Sequence, residues 1–231
     1  MVSTFDEGCD IRARTAVIGV GGAGCNIISD IYWDLPSVDT IAVNTDKEAL
    51  LDTDADKKLF ICKAVTNGKG TDGDSMLGKK CAQAHMKEIE EMVSGYDIVY
   101  IIAGIGGGTG SGAAPVIAEI AQRHCIVFSI LVNPFSFESS RLAVAKDGIA
   151  RMRAVCPMTT VIENDLILDK VGDVNLKTAF DAINKSIALH IAKQQRTVMS
   201  SFTEQIRHIA EFVKDGCTQL EHCTSAGLAT N

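Results

Sequence analysis

Two glycine-rich stretches constrain the fold of this chain more than any other feature. Each follows a short apolar run and precedes a stretch with helical periodicity. The first run, residues 14–20 (RTAVIGV), reads as a buried strand; glycines 19, 21, 22 and 24 follow, then a periodic stretch through Ile27, Ile28 and Ile31. The second run, Ile98 to Ala103, leads into Gly104–Gly112, where five of the seven residues from Gly106 are glycine. A glycine cluster costs conformational entropy on folding, so it needs a backbone reason. Strand, tight loop and helix, met twice, is an α/β pattern.

The remaining segments extend that pattern. Short strands are expected over 38–43, 59–62 and 159–163, and helices over 75–93, 113–122 and 139–154. The run CIVFSILV at 125–132 is apolar throughout, as for a central parallel strand covered on both faces. From Leu176 to Lys214 there is neither glycine nor proline. Ile187, Ile191, Val198, Phe202, Ile206, Ile209 and Val213 recur at helical spacings there, which predicts one long helix or two with a break near Gln195–Ser201. Gly216 to Asn231 is small and polar and is expected to fray. The plan is an N-terminal extension over 1–12, an α/β domain with a mostly parallel sheet over 13–190, and a helical C-terminal segment over 191–231.

At 231 residues the chain can fill one core but not two full-sized domains. Its net charge of -7 and the lack of a long basic stripe argue against a nucleic-acid partner. No apolar stretch is long enough to cross a membrane and no leader opens the chain, so a cytoplasmic location is expected. The eight cysteines are irregularly spaced with no CxxC pair, which argues against zinc or another resident metal. A reducing compartment, with cysteines acting as small hydrophobes, is the simpler reading. Cys217 and Cys223 are close enough in sequence to be linked or to coordinate a ligand together, but a pair alone specifies neither.

The first loop, Gly19 to Asn26, contains GxGxxG between a strand and a helix, which lets backbone N–H groups approach a phosphate. Alone it fits a nicotinamide dinucleotide equally well, and Asp46 stands where a ribose-binding acid is expected. The second loop, Gly106-Gly107-Gly108-Thr109-Gly110-Ser111-Gly112, can form a second N–H nest with added hydroxyls, which a dinucleotide fold does not need there. There is no GxxxxGK[ST], so the chain is not a P-loop protein.

The segments IGVGGAGCN (18–26), AVNTD (42–46), DIVYIIAGIGGGTGSGAAPVIAEIA (97–121), NPFSFE (133–138) and VIENDLIL (161–168) resemble the tubulin/FtsZ family in order and near-family spacing. The resemblance implies a three-layer, Rossmann-like GTPase domain that binds GTP or GDP. It places Gly21, Gly22, Ala23 and Gly24 at the phosphates, Asn26 at the guanine base, and Asn44 and Asp46 near the nucleotide. Gly106, Gly107, Gly108, Thr109, Gly110 and Ser111 would wrap the diphosphate. Pro134 and Phe135 would lie on the sugar side, and Glu138 and Arg141 would bracket ribose and phosphates. Asn164, Gly70 and Thr71 complete the implied set, with Phe180 stacking on the base. Asn184 stands where the family often has aspartate; its amide oxygen can accept from guanine N1 or N2.

Three departures from the family pattern bear on function. The loop expected at the γ-phosphate carries Asp72, and a carboxylate beside a triphosphate is repulsive without a cation. Either Asp72 or Asp74 helps hold a Mg²⁺, or the loop turns away and favours GDP. Glu138 and Arg141 are three apart where the family has four, a helix phase error of about 100° unless the loop absorbs it. The loop bearing acids for a neighbour's nucleotide, and the second domain after it, are not recognisable. The expectation is a guanine-nucleotide-binding protein of cell division or membrane remodelling with weak or assembly-dependent hydrolysis. The alternative is a non-hydrolysing adaptor of a full-length FtsZ-like filament. Self-association is compatible with either; the terminal amphipathic stretch either folds back or pairs with another copy.

Overall fold

The computed structural model describes residues 13–166 and 176–226. In chain order the elements are β1 (Thr15–Val20), α1 (Gly21–Ile31), a 3-10 turn (Tyr32–Asp34), β2 (Asp39–Asn44), α2 (Lys47–Leu51), β3 (Lys57–Phe60), α3 (Lys63–Thr66), α4 (Ser75–Ala84) and α5 (Met86–Val93). They continue with β4 (Ile98–Gly104), α6 (Gly108–Ala121), β5 (Ile126–Asn133), α7 (Ser139–Val155), β6 (Thr159–Glu163) and α8 (Leu176–Ala226).

All six strands are parallel, in the order β3-β2-β1-β4-β5-β6. The apolar runs dictate this. β1 and residues Ile98–Ala103 of β4 are buried throughout, as strands covered on both faces must be. Alternation divides their side chains. Ala16, Ile18, Val20, Val99, Ile101 and Ala103 join one core with α5, α6 and α7 residues such as Ile89, Ile117 and Met152. Val17, Tyr100 and Ile102, equally buried, point to the other face. Chain direction across the sheet reverses between β1 and β4. Right-handed crossovers leaving these two strands in opposite directions put α1 and α6 on opposite faces.

Several expectations are corrected. The glycine segments are not loops along their whole length: α1 begins at Gly21 and α6 at Gly108, so most of their glycines are helical. The reason is packing. A Cβ on Gly24 would lie 2.5 Å from the Ile102 carbonyl oxygen, and one on Gly112 would strike the Ser75 carbonyl oxygen. The single helix expected over 75–93 is two, divided at His85, whose ring Nδ1 lies 3.0 Å from the Cys81 carbonyl oxygen. The third strand begins at Lys57, two residues before the expected start. Of the two alternatives for the C-terminal stretch, α8 takes the unbroken one through Gln195–Ser201; it also continues past Gly216 to Ala226, where fraying was expected.

Ala13–Ile191 forms one compact unit, and the chain from Ala192 belongs to another. Within the first unit α8 buries Ala179, Ile183, Ile187 and Ile191, the apolar stripe of an amphipathic helix.

The cysteines divide. Cys25 and Cys156 are buried as small hydrophobes, and burial pushes the Cys25 thiol up to about 12. Against the expectation of an all-thiol chain, Cys62 and Cys81 are joined in a disulfide, their Cα atoms 4.9 Å apart. Folding brings together the residue before α3 and one in α4, which no local spacing revealed. Cys217 and Cys223 both lie within α8.

Asp56 ties the edge of the sheet away from the glycine loops. Its carboxylate accepts from the Thr40 N–H at 2.8 Å, the Thr40 hydroxyl at 2.9 Å and the Tyr32 hydroxyl at 2.9 Å. Burial pushes its pKa up, but the hydrogen bonds from Thr40 and Tyr32 outweigh this and hold it below the usual carboxylate range. A lowered folded pKa stabilises the protein above the unfolded value of about 3.9, and that contribution is lost as pH falls through the folded value. Asp56→Asn should therefore lower the melting temperature at pH 7. The gap from the parent protein should close in acid, as followed by thermal melts across pH 3–7.

Candidate functional site

A cleft of about 720 Å³ opens at the carboxyl ends of β1, β4 and β5, bordered by Val20, Gly104 and Asn133. This is the place a parallel sheet offers a ligand, outside the point where strand order reverses. Its floor is the meeting of two helix N-termini. Gly21 adopts φ +74°, and a Cβ there would lie 2.9 Å from the Gly110 nitrogen. Each N-terminus carries unpaired N–H groups and roughly half a positive charge, so two together form a seat for an anion.

The glycines sort by what a side chain would meet. Gly24, Gly108, Gly110 and Gly112 lack room because protein atoms occupy it. Gly106 is held at φ +100° and donates its N–H to the Ser111 hydroxyl at 2.8 Å. Gly22 and Gly107 differ. Both line the cleft, neither has positive φ, and a Cβ on either meets nothing within 4 Å. No protein atom accounts for glycine there, whereas a ligand drawn close to the backbone does.

The hydroxyls on the floor are already engaged. Thr109 Oγ1 lies 2.7 Å from Thr45 Oγ1 and 3.2 Å from Thr71 Oγ1, a buried chain joining α6 to the loops after β2 and α3. Ser111 is fully buried and serves Gly106 rather than the cleft. On the far wall Glu138 accepts from the Phe135 N–H at 3.1 Å and pairs with Arg141 at 2.8 Å. Both line the cleft despite their shortened spacing. Glu138 precedes α7, so the helix phase does not govern it. Phe180 contacts Phe135 edge-on with centroids 5.9 Å apart.

Of the residues named from sequence, the fold brings Gly21, Gly22, Ala23, Asn26, Thr71, Gly107, Gly108, Thr109, Gly110, Pro134, Glu138, Arg141, Asn164, Phe180 and Asn184 to the cleft wall. Gly24, Gly106 and Ser111 lie behind it as supports. Asn44 is buried, its Oδ1 accepting from the Thr45 N–H at 2.8 Å, and Asp46 caps α2 through the Ala49 N–H at 3.0 Å. Gly70 and the exposed Asp72 do not line the cleft, and Asp74 caps α4. Three charged residues went unnamed: Asp30, Lys177 and Asp181. Helical spacing from Asn26 to Asp30 was available as a signal.

The model of the tubulin/FtsZ family GTPase domain matches residues 14–172. The chain belongs to the tubulin/FtsZ family. Cell division protein FtsZ 2 of Methanocaldococcus jannaschii is 40% identical over 179 residues, 77% of this chain and 47% of that protein. The Pyrococcus furiosus FtsZ 2 is 39% identical over 194 residues, 79% of this chain and 48% of that one. Among solved structures, an empty FtsZ dimer from M. jannaschii superposes with TM-score 0.73 at 34% identity, over 77% of this chain and 53% of that one. A GTPγS-bound CetZ2 protofilament from Haloferax volcanii gives 0.71 at 26% identity, over 79% and 58%. The chain spans about half the length of the curated relatives it matches. Among the described residues no helix is long and apolar enough to cross a membrane.

The glycine sorting separates binding from folding in this tubulin/FtsZ cleft. Gly22→Ala and Gly107→Ala should leave the melting temperature within ~2 °C and weaken GDP binding about tenfold or more. Gly24→Ala and Gly112→Ala should cost ~1–3 kcal/mol by overpacking and lower the melting temperature by several degrees. Calorimetric melts paired with GDP titrations check both.

Proposed function

We propose that the cleft binds GTP and GDP, with the phosphates on the two helix N-termini and the guanine between α1 and α8. The observation that carries this is the pair Gly22 and Gly107, open toward the cleft with no protein atom in the way. Phe180 offers a face to the base, and the Asn184 amide oxygen an acceptor. The Glu138–Arg141 pair lies at the wall for the sugar and phosphates. A nicotinamide dinucleotide is the poorer occupant, because Asp46 does not line the cleft and its Oδ1 caps α2.

Among the described residues no three acidic, histidine or cysteine side chains gather as a metal site. A Mg²⁺ would therefore arrive with the nucleotide, held chiefly by phosphate oxygens. Its role would be to neutralise charge on the phosphates.

The role we infer is that of an FtsZ-like cytoplasmic protein in cell division or cytoskeletal work, which self-associates and hydrolyses GTP weakly or only on assembly. A second reading is a non-hydrolysing adaptor of a longer FtsZ-like protein. It is favoured by α8, which stays helical where the family resemblance puts an acid-bearing loop.

One preparation tests both. Nucleotide extracted from the purified chain should be guanine nucleotide; NAD instead would overturn the binding proposal. GTP turnover per molecule should then rise with protein concentration if hydrolysis follows assembly. A flat, near-zero rate with tightly bound guanine nucleotide selects the adaptor reading.

A further inference from the structure

Two helices present side chains to one end of the cleft at i, i+4 spacing. From α1 come Asn26 and Asp30; from α8 come Phe180 and Asn184. The two pairs are joined by one contact: Asn184 Nδ2 donates to Asp30 Oδ2 at 2.7 Å. An ionised carboxylate can only accept, so the nitrogen of the Asn184 amide must face Asp30. That fixes the amide orientation by chemistry and leaves Asn184 Oδ1 as an acceptor. Asn184 is 5% exposed and has little room to turn. The second carboxylate oxygen, Asp30 Oδ1, has no partner among the described residues. This end of the cleft therefore offers two acceptors on residues joined by one hydrogen bond, one of them charged.

Purines differ in what they show to such a pair. Guanine carries adjacent donors, the N1–H and the 2-amino group. Adenine has an acceptor at N1 and only C–H at position 2. Hypoxanthine keeps the N1–H but lacks the amino group, and xanthine replaces it with a carbonyl. Only guanine satisfies two neighbouring acceptors. Resting on the guanine-nucleotide reading above, we propose that Asp30 is a specificity-determining residue that accepts from the guanine edge and orients the Asn184 amide to share it. A hydrogen bond to a charged acceptor discriminates more strongly than one to a neutral amide. A 2-carbonyl set against that carboxylate places two acceptors face to face, which penalises xanthine further.

The alternative for Asp30 is purely positional: it holds Asn184 and touches no ligand. Affinities of the full chain for GDP, IDP, XDP and ADP, measured by calorimetry for the parent and for Asp30→Asn and Asp30→Ala, separate the two. Asp30→Asn places an amide where the carboxylate stood. Its N–H₂ opposes the 2-amino group of guanine but fits the 2-carbonyl of xanthine. GDP binding should weaken about 10- to 100-fold while XDP binding strengthens, so that the GDP:XDP preference collapses or reverses. In Asp30→Ala the preference of GDP over IDP should fall toward one. Thermal melts establish that each variant is folded, and either variant alone suffices if the other is not. A parent preference for GDP that survives unchanged in the folded variants, with all purines weakened alike, overturns the role for Asp30 and leaves guanine binding standing. Failure of the parent chain to prefer GDP over ADP and XDP overturns the guanine reading itself.

Discussion

The meeting of the α1 and α6 N-termini over the β1–β4 junction is the contact on which the rest of the site depends. It is possible only because Cβ atoms are missing on both sides of it. A Cβ on Gly21 would lie 2.9 Å from the Gly110 nitrogen, and one on Gly110 would strike the Gly104 carbonyl oxygen. The strand order makes the meeting unavoidable, since neighbouring parallel strands send their helices to opposite faces from the same edge. Two helix dipoles pointing into one space repel each other unless an anion sits between them. The glycines thus permit an arrangement that is electrostatically incomplete until something negative binds.

The cleft's other wall comes from burial. Helix α8 buries Ala179, Ile183 and Ile187 within the first unit, and this fixes the rotation of that part of the helix. Phe180 and Asn184 stand beside that stripe, so their approach to the cleft follows from where the apolar residues fall. The same holds for α1, whose buried Ile27, Ile28 and Ile31 set the direction of Asn26 and Asp30. This end of the cleft is therefore positioned by two ordinary amphipathic patterns, and the Asp30–Asn184 hydrogen bond joins them.

Strand and helix alternation was legible in the sequence because buried parallel strands read as unbroken apolar runs, as in β4 and β5. The glycine end of the cleft was legible because its glycines cluster, although Gly24, Gly108, Gly110 and Gly112 answer to packing and only Gly22 and Gly107 are left open toward the cleft. What escaped were features set by partners distant in sequence. His85 divides α4 from α5 without disturbing the apolar periodicity of Cys81, Ile89 and Met92. Asp46 and Asp74 read as ligands for a nucleotide or cation; in the fold one carboxylate oxygen of each caps the helix that follows it. Cys62 and Cys81 are neighbours only after α3 and α4 have packed. Asp30 shares a face with Asn26, which periodicity could reveal, but its significance required knowing that α8 lies opposite.

The charges around the cleft bear on whether it binds or also reacts. Three carboxylates line it: Asp30 is engaged with Asn184, Glu138 with Arg141, and Asp181 stands on α8. Helix N-termini stabilise phosphate charge in the ground state and the transition state alike, and uniform binding of that kind does not accelerate a reaction. Acceleration requires a group that orients water or meets charge as it develops. The loop before α4 brings one side chain to the cleft, Thr71, whose hydroxyl is shared with Thr109; the next residue, Asp72, is exposed at φ +46°. The described residues thus supply what the proposed nucleotide binding rests on, and hydrolysis would need a further group that meets the charge as it develops.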